Sequence, residues 1–425
     1  MSLIKTPQGR PRLPANPGSL VMHGAMAATI AAALLLPAIV GLRSIAPDAW
    51  AAPSSCARIG DFVASDRDLG PVLQACFNAT PDGGTVVIAP GRYRIATPIR
   101  INRPMTVRTQ GLSADAPSCA MDERRCASLH LAIPLGSEAG AVMPFDIDSD
   151  AVHLDGLIFV GTRHSNPALS AQRCGTDKGK SMAGGLRIHG NGNSITRSVF
   201  RDTACYTALE YGRGEDVVIR DNLFSRNGRH NVQSHWADGL TIHTARRFAV
   251  TGNRFIDNSD VQLIFGSCVD CTISDNRFDH SGSAEGGSFA ELMLHAWPGS
   301  TSGDFTGTRV TRNRIDCGQQ QRCGFGIMIG SKPWYDAPAF GGTVSGNRVR
   351  GAMIALNIDT LTGPMTVEDN DLNLSSGRYP SMCGVQDVRG IRANISPASR
   401  PFVAGMPARD LSFGRYCILN FHIDP

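Results

Sequence analysis

The chain has 425 residues, of which 42% are hydrophobic and 18% are charged, so it is too apolar to be intrinsically disordered. Its 46 glycines, 25 prolines and few aromatic residues favour many short strands and tight turns over long helices. The formal net charge is +4, but residues 1–51 contain four basic residues and one acidic residue, so the rest of the chain is nearly neutral. Net charge therefore gives no reason to expect a nucleic-acid partner.

Residues 1–51 have the features of an export signal. Basic residues precede an apolar run at about residues 20–42, and Ala49-Trp50-Ala51 has the small-x-small pattern of a cleavage site. The length of the apolar run, and Arg43 directly after it, leave an uncleaved membrane anchor as the alternative. Both interpretations export the rest of the chain, which we expect to be secreted or periplasmic, or membrane-anchored if the segment is retained.

The cysteines also indicate export. All 12 follow residue 51, and an even number in an exported chain predicts disulfide bonds. Sequence proximity suggests three pairs and, more loosely, three others: Cys119–Cys126, Cys268–Cys271 and Cys317–Cys323, then Cys56–Cys76, Cys174–Cys205 and Cys383–Cys417. The Cys268-x-x-Cys271 spacing lacks a second such pair or neighbouring histidines, so a zinc site is not expected.

The first part of the mature chain predicts a cap followed by short strands. Residues 52–80 are expected to form an N-terminal cap with a short helix. Short apolar segments separated by turn residues follow, without a convincing amphipathic helix between them. This pattern is typical of an all-β protein.

A repeat becomes explicit after residue 185. Second strands end in related sequences such as VIRDNLF, VTGNRF and TISDNRF, each with one asparagine at the same place. The recurring asparagines are Asn222, Asn253, Asn276, Asn313, Asn347 and Asn370. The shortest spacings are 22–23 residues, and we interpret the longer ones as coils with inserted loops.

A repeat of this length, with strands joined by turns and an asparagine at one corner, is typical of a parallel β-helix whose coils bury their inward side chains against each other. Here the chain resembles the pectate-lyase-like right-handed parallel β-helix proteins of carbohydrate metabolism. We therefore expect a solenoid of roughly ten coils over residues 81–375, with short caps at both ends. Residues 376–425 are expected to form the C-terminal cap and tail.

Strand alternation predicts one polar outer face on this solenoid. With Leu186, Ile188, Leu240, Ile242, Leu292 and Leu294 pointing inward, the neighbouring polar residues point outward. A coil of about 22 residues would also place Asp238 and Asp260 at the same position on consecutive coils. The predicted outer face collects Arg187, His189, Glu210, His235, Asp238, His243, Asp260, Glu291 and His295. Trp236 and Trp297 flank it and are candidates for stacking on sugar rings.

The resemblance implies activity on a polysaccharide or oligosaccharide, although this fold hosts several activities. The family's galacturonan hydrolases carry Asn-Thr-Asp and then Asp-Asp, where this chain has Trp236-Ala237-Asp238 and Ser259-Asp260. Their Gly-His-Gly and Arg-Ile-Lys motifs are missing, so polygalacturonase activity itself is not expected.

Cleavage of a uronate polymer by β-elimination is the preferred hypothesis, because it needs a base, an acid and a group that neutralises the substrate carboxylate. Asp238, His243, Asp260, Glu291 and His295 are the candidate catalytic residues. Arg187, His189, Glu210, His235, Trp236 and Trp297 are the candidate substrate-binding residues. No cofactor is certain. Ca²⁺ held by Asp238, Asp260 and Glu291 is one hypothesis. A glycoside hydrolase, a uronate C5-epimerase and a non-catalytic glycan-binding protein or adhesin are the alternatives.

Overall fold

The computed structural model describes residues 54–113, 115–133, 143–164, 184–232, 235–332, 334–379 and 384–406. The predicted export segment and the partners Cys174, Cys383 and Cys417 lie outside these ranges. In the part of the chain that is described, no helix is long and apolar enough to cross a membrane.

Three long parallel sheets form the molecule, and each contributes one strand in turn to every coil. The first sheet contains β1 (Gly84–Ile88), β4 (Met105–Thr109), β7 (Val152–Asp155), β10 (Ser194–Thr196), β13 (Val218–Arg220), β16 (Ala249–Thr251), β19 (Thr272–Ser274), β22 (Arg309–Thr311), β25 (Thr343–Ser345), β28 (Met365–Glu368) and β32 (Val403–Ala404). The second contains β2 (Gly91–Ile95), β5 (Ala127–Leu131), β8 (Leu157–Val160), β11 (Val199–Arg201), β14 (Leu223–Ser225), β17 (Arg254–Ile256), β20 (Arg277–Asp279), β23 (Arg314–Asp316) and β26 (Arg348–Arg350). The third contains β3 (Ile99–Ile101), β6 (Phe145–Asp148), β9 (Leu186–His189), β12 (Tyr206–Glu215), β15 (Ala237–Arg246), β18 (Val261–Val269), β21 (Ser288–Leu294), β24 (Cys323–Ile329), β27 (Ile354–Ile358) and β31 (Ala393–Ile395).

This arrangement confirms the predicted parallel β-helix. Strands of one sheet pair in parallel register from coil to coil, and β1–β27 complete nine coils of three strands within the described residues. The strands β31 and β32 extend the third and first sheets beyond residue 375. A short antiparallel pair, β29 (Arg378–Tyr379) and β30 (Gln386–Asp387), lies between β28 and β31.

Helices close the N-terminal end of the solenoid, in the predicted cap. They are α1 (Ser54–Ala57), a 3₁₀ turn (Arg58–Phe62) and α2 (Gly70–Ala79). The α2 residues Leu73, Cys76 and Phe77 are buried in the main core, and the Phe77 ring lies 6.2 Å from the Phe145 ring of the third sheet. The cap thus covers apolar side chains and a sheet end that water would otherwise reach.

Stacked side chains hold consecutive coils in register. In the predicted ladder, each asparagine Nδ2 donates to the Oδ1 of the next at 2.9–3.1 Å, from Asn222 through to Asn370. Each of these Nδ2 atoms also donates to a backbone carbonyl of the preceding coil, as Asn276 does to Val250. Inside the solenoid, the rings of Phe159, Phe200, Phe224, Phe255 and Phe278 stack at 4.9–5.1 Å.

Four predicted disulfide bonds are confirmed: Cys56–Cys76, Cys119–Cys126, Cys268–Cys271 and Cys317–Cys323. Cys205 is also disulfide-bonded, and Cys174, its predicted partner, lies outside the described residues.

Replacement of Asn276 by alanine should destabilise the fold. Asn253 would lose the acceptor of its backbone N–H and of its Nδ2, and the buried carbonyl of Val250 would lose a donor. Buried unsatisfied groups of this kind cost about 1–3 kcal/mol. Thermal unfolding should show a clearly lower midpoint for Asn276→Ala. The exposed Asn78→Ala serves as the control and should leave the midpoint nearly unchanged; equal midpoints for the two variants would contradict a stabilising ladder.

Candidate active site

The outer face of the third sheet is polar over strands β9, β12 and β15. As predicted, Leu186, Ile188, Leu240 and Ile242 are buried in the main core. The intervening side chains therefore point away from it, since strand residues alternate. On the later coils the outer face of this sheet is instead covered by a second apolar cluster that includes Ile264, Met293, Met328, Tyr379 and Ile391. The polar part of the face is thus confined to a few coils.

Glu210 is the centre of this polar surface. Its Oε2 accepts a hydrogen bond from Arg187 Nε at 2.7 Å. Its Oε1 accepts one from the Tyr206 hydroxyl at 2.7 Å and lies 2.9 Å from His243 Nε2. Three consecutive strands supply these groups, because the register places Glu210 between Arg187 and Thr241.

The partners of Glu210 keep its carboxyl group ionised. Burial alone would raise the pKa, since only 8% of the side chain is exposed. The hydrogen bond from His243, the charge of Arg187 and the hydrogen bond from Tyr206 outweigh burial and lower the pKa of Glu210 to about 2. Glu210 is therefore suited to orient its neighbours as a permanent anion.

Histidine and glycine alternate at one register position of the outer face, next to Glu210. His189, Gly212 and His243 come from successive strands. A Cβ on Gly212 would lie 1.9 Å from the His189 ring, so the imidazole occupies the space above this glycine. Burial lowers the pKa of His189, which favours the neutral ring.

The same alternation continues through Gly266 to His295. Here the empty position is filled by Trp297, whose ring would lie 2.7 Å from a Cβ on Gly266. Trp297 stacks on His243 with ring centroids 4.7 Å apart and contacts His295 edge-on at 5.3 Å. Trp297, predicted as a sugar platform, is 7% exposed and instead forms a wall that fixes the His243 ring.

His295 points outward as predicted, but it is covered. Its ring is surrounded by Trp297, Trp334 and Tyr335, with centroid separations of 5.3–5.8 Å, and only 3% of the residue is exposed. This enclosure places His295 behind the aromatic wall, and His243 is the more accessible histidine.

Asp238 lies beside the Glu210 network, joined to it through Thr241. The Thr241 hydroxyl donates to Asp238 Oδ2 at 2.7 Å, and the Val261 N–H donates to Asp238 Oδ1 at 3.1 Å. The predicted alignment of Asp238 with Asp260 is wrong by one residue. Leu240 pairs with Leu263, 23 residues later, so Asp238 lies opposite Val261.

Asp260 remains close enough to Asp238 for their charges to interact. Burial raises the pKa of Asp260 well above its usual value, and the negative charge of Asp238 raises it further. Asp238 accepts hydrogen bonds and Asp260 is driven toward its protonated form, so the two carboxyl groups have different protonation preferences. Such a difference is what acid–base catalysis with two carboxyl groups requires.

The predicted outward position of Glu291 is wrong. Glu291 is fully buried, accepts a hydrogen bond from Ser288 and lies 2.8 Å from His280 Nε2. Burial opposes a charge on His280, but Glu291 and Asp257 outweigh it and raise the pKa of His280 to about 10. Glu291 thus belongs to a buried ionic group. Among the described residues no three acids, histidines or cysteines are arranged to hold a metal ion, so the predicted Ca²⁺ triad is not formed.

His235 and Trp236 lie at the edge of the face, just before β15. The Trp236 Nε1 donates to the His230 carbonyl at 3.0 Å, and its ring contacts Phe289 edge-on at 5.5 Å. Trp236 is 36% exposed, which leaves part of its ring open to a ligand. Burial lowers the pKa of His235.

Tyr206 was missed by sequence reasoning. Its φ of 73° is an uncommon backbone conformation for a bulky residue, and such strain is found where a function or packing enforces it. In the sequence Tyr206 follows Cys205 directly, so a disulfide next to a strand start was the one available signal.

Glu210 should make the fold sensitive to acid. A folded-state pKa near 2, below the unfolded value, contributes stability above about pH 4 that is lost as the pH falls toward 2. The unfolding midpoint of the native protein should therefore fall more steeply with acid than that of Glu210→Gln. The exposed Glu368→Gln should follow the native protein. Parallel curves for the native protein and Glu210→Gln would contradict the proposed pairing.

Comparisons with known proteins support the architecture. A family described as a right-handed beta helix region matches residues 177–373. A polygalacturonase from Erwinia carotovora ssp. carotovora has a similar structure, with a TM-score of 0.51, 11% identity, and coverage of 79% of this chain and 90% of that chain. A PL6 alginate lyase in complex with a trisaccharide has a TM-score of 0.50 and 17% identity, and the match covers 79% of this chain and 62% of that chain. No curated protein matches the sequence. The stacked sheets, the side-chain ladders and the family match together identify the chain as a right-handed parallel β-helix protein of the pectate-lyase-like type.

Proposed function

We propose that this protein cleaves a uronate-containing polysaccharide by β-elimination outside the cytoplasm. The observation that carries the proposal is the network in which one ionised carboxylate, Glu210, contacts Arg187, Tyr206 and His243 on an outer face of the solenoid. A base, an acid and a cation within reach of one another are the groups that elimination of a uronate needs.

His243 is the proposed base. When its Nε2–H donates to Glu210, the lone pair of the ring lies on Nδ1, and this nitrogen can accept the C5 proton of a uronate. The C5–H electron pair then forms the C4–C5 double bond, and the C4–O bond to the leaving sugar breaks. Arg187, whose side chain is 25% exposed, would neutralise the substrate carboxylate. Tyr206 would donate its hydroxyl proton to the leaving oxygen.

Two further observations support this proposal. The five disulfide-bonded positions described above are expected in an oxidising compartment, which agrees with an export signal in residues 1–51. The two similar structures named above are an alginate lyase and a polygalacturonase, and the polymers in these names consist of uronic acids. Alginate and polygalacturonate are therefore the first substrates to test.

His243→Ala should abolish elimination while leaving the fold intact. Loss of a general base lowers turnover by about 10²–10⁴-fold. The measurement is the ultraviolet absorbance of the unsaturated uronate product after mixing with alginate or polygalacturonate. His153→Ala, on the first sheet, is the matched control and should retain full activity. Equal activity of both variants would remove His243 from the chemistry.

Glycoside hydrolysis is the second candidate, and a separate observation favours it. Asp260 has a raised pKa next to Asp238, so it could protonate a leaving oxygen while Asp238 acts as base or nucleophile. Hydrolysis would create reducing ends without the absorbing double bond.

Under this second candidate, Asp260→Asn should abolish the formation of reducing ends. Native activity should fall as the pH rises through the elevated pKa of Asp260, because the acid form is consumed. The control is Asp216→Asn, an exposed aspartate paired with Arg247. Absorbance that persists in Asp260→Asn but vanishes in His243→Ala would favour elimination over hydrolysis.

A further inference from the structure

Four arginines form a straight line on the outside of the second sheet, away from the candidate active site. Arg254, Arg277, Arg314 and Arg348 each begin a strand, and each is in direct register with the next. Neighbouring strands are about 4.8 Å apart, so the line has one exposed arginine at each coil. In the sequence these arginines are 23–37 residues apart, and only the coil register brings them together.

The line begins where the cover of this sheet ends. On the earlier coils the same register position holds Ile158, Val199 and Leu223. These residues pack against a separate apolar cluster that includes Leu112 and the disulfide residue Cys119. From Arg254 onward the position is exposed. The second sheet therefore changes from a covered apolar face to an open basic one.

The arginine line carries an excess of positive charge. Arg254 and Arg277 share Asp279, at 3.2 and 2.8 Å, and Arg348 lies 3.8 Å from Asp371. Arg314 forms no ion pair with a described residue. Like charges in cross-strand register destabilise a sheet, so their repetition on four coils is unfavourable for folding alone and indicates an anionic ligand.

Asp279 holds two guanidinium groups in a binding geometry. Both arginines contact it through Nε, and within the described chain none of their hydrogen bonds uses an Nη nitrogen. Both side chains remain more than half exposed, at 55% and 63%. Oriented guanidinium groups of this kind can bind carboxylates through paired N–H donors.

The mixture of charges selects between possible polyanions. Asp279 and Asp316 line the arginines and can accept hydrogen bonds from sugar hydroxyls. The same aspartates would repel the densely charged phosphate backbone of a nucleic acid. We infer that the arginine line is a second, non-catalytic binding strip for a linear, carboxylate-bearing polysaccharide that runs parallel to the solenoid axis. The choice of a carboxylate-bearing glycan rests on the proposed function.

The test measures binding directly, so that it does not depend on cleavage. Affinity electrophoresis in gels containing polygalacturonate or alginate compares the purified protein with Arg277→Gln/Arg314→Gln. Each lost charge-assisted hydrogen bond weakens binding, and we expect the dissociation constant to rise about tenfold or more. The control is Arg220→Gln/Arg309→Gln, which removes two exposed arginines from the first sheet and should bind as the native protein does. Dextran should retard none of the proteins.

The outcomes separate this inference from the proposed function. Retarded migration that is lost in the strip variant supports the strip, even if no glycan is cleaved. Cleavage with unchanged binding in the strip variant overturns the strip and leaves the proposed function standing. Loss of binding to duplex DNA, without loss of binding to either polyuronate, would overturn the assignment to a glycan. All variants should keep the native unfolding midpoint, because the replaced side chains are exposed.

Discussion

Cross-strand register between consecutive coils is the constraint on which the rest of the structure depends. Once the asparagine ladder from Asn222 to Asn370 fixes how one coil lies on the next, every position along a strand acquires a defined neighbour one strand spacing away. Residues more than 20 positions apart in sequence then behave as neighbouring groups. Arg187, Glu210 and His243 form one hydrogen-bonded group for this reason, and the four exposed arginines of the second sheet form one line.

Register also explains why glycine matters at two positions of the outer face. A parallel stack brings side chains of successive strands so close that bulky rings cannot occupy every level. Gly212 leaves room for the His189 ring, and Gly266 leaves room for Trp297, which then packs against His243. The sequence GLTIH predicted an outward histidine, but the two glycines determine where the imidazole rings can lie.

The sequence predicted the fold well because the asparagine repeat and the inward apolar residues report the same coil. It predicted the site only in part, since a site depends on single-residue register. The coil from Leu240 to Leu263 is 23 residues long, so Asp260 lies one position before the partner of Asp238. Glu291 was assigned by strict alternation, but its side chain contacts the buried His280 instead of solvent. Tyr206 could not be foreseen, because its position depends on a backbone φ of 73°.

Two electrostatic environments lie next to each other on the outer face, and they favour different chemistry. Three donors around Glu210 outweigh its burial, so this carboxylate orients a histidine. Asp260 lacks such compensation and lies beside another acid, so burial drives it toward the protonated form. Thr241 separates the two environments while it binds Asp238 and lies in register with Glu210. A substrate lying across Thr241 would contact a fixed anion with its histidine on one side and a proton donor on the other. The bond that is broken therefore depends on which side the reactive sugar occupies.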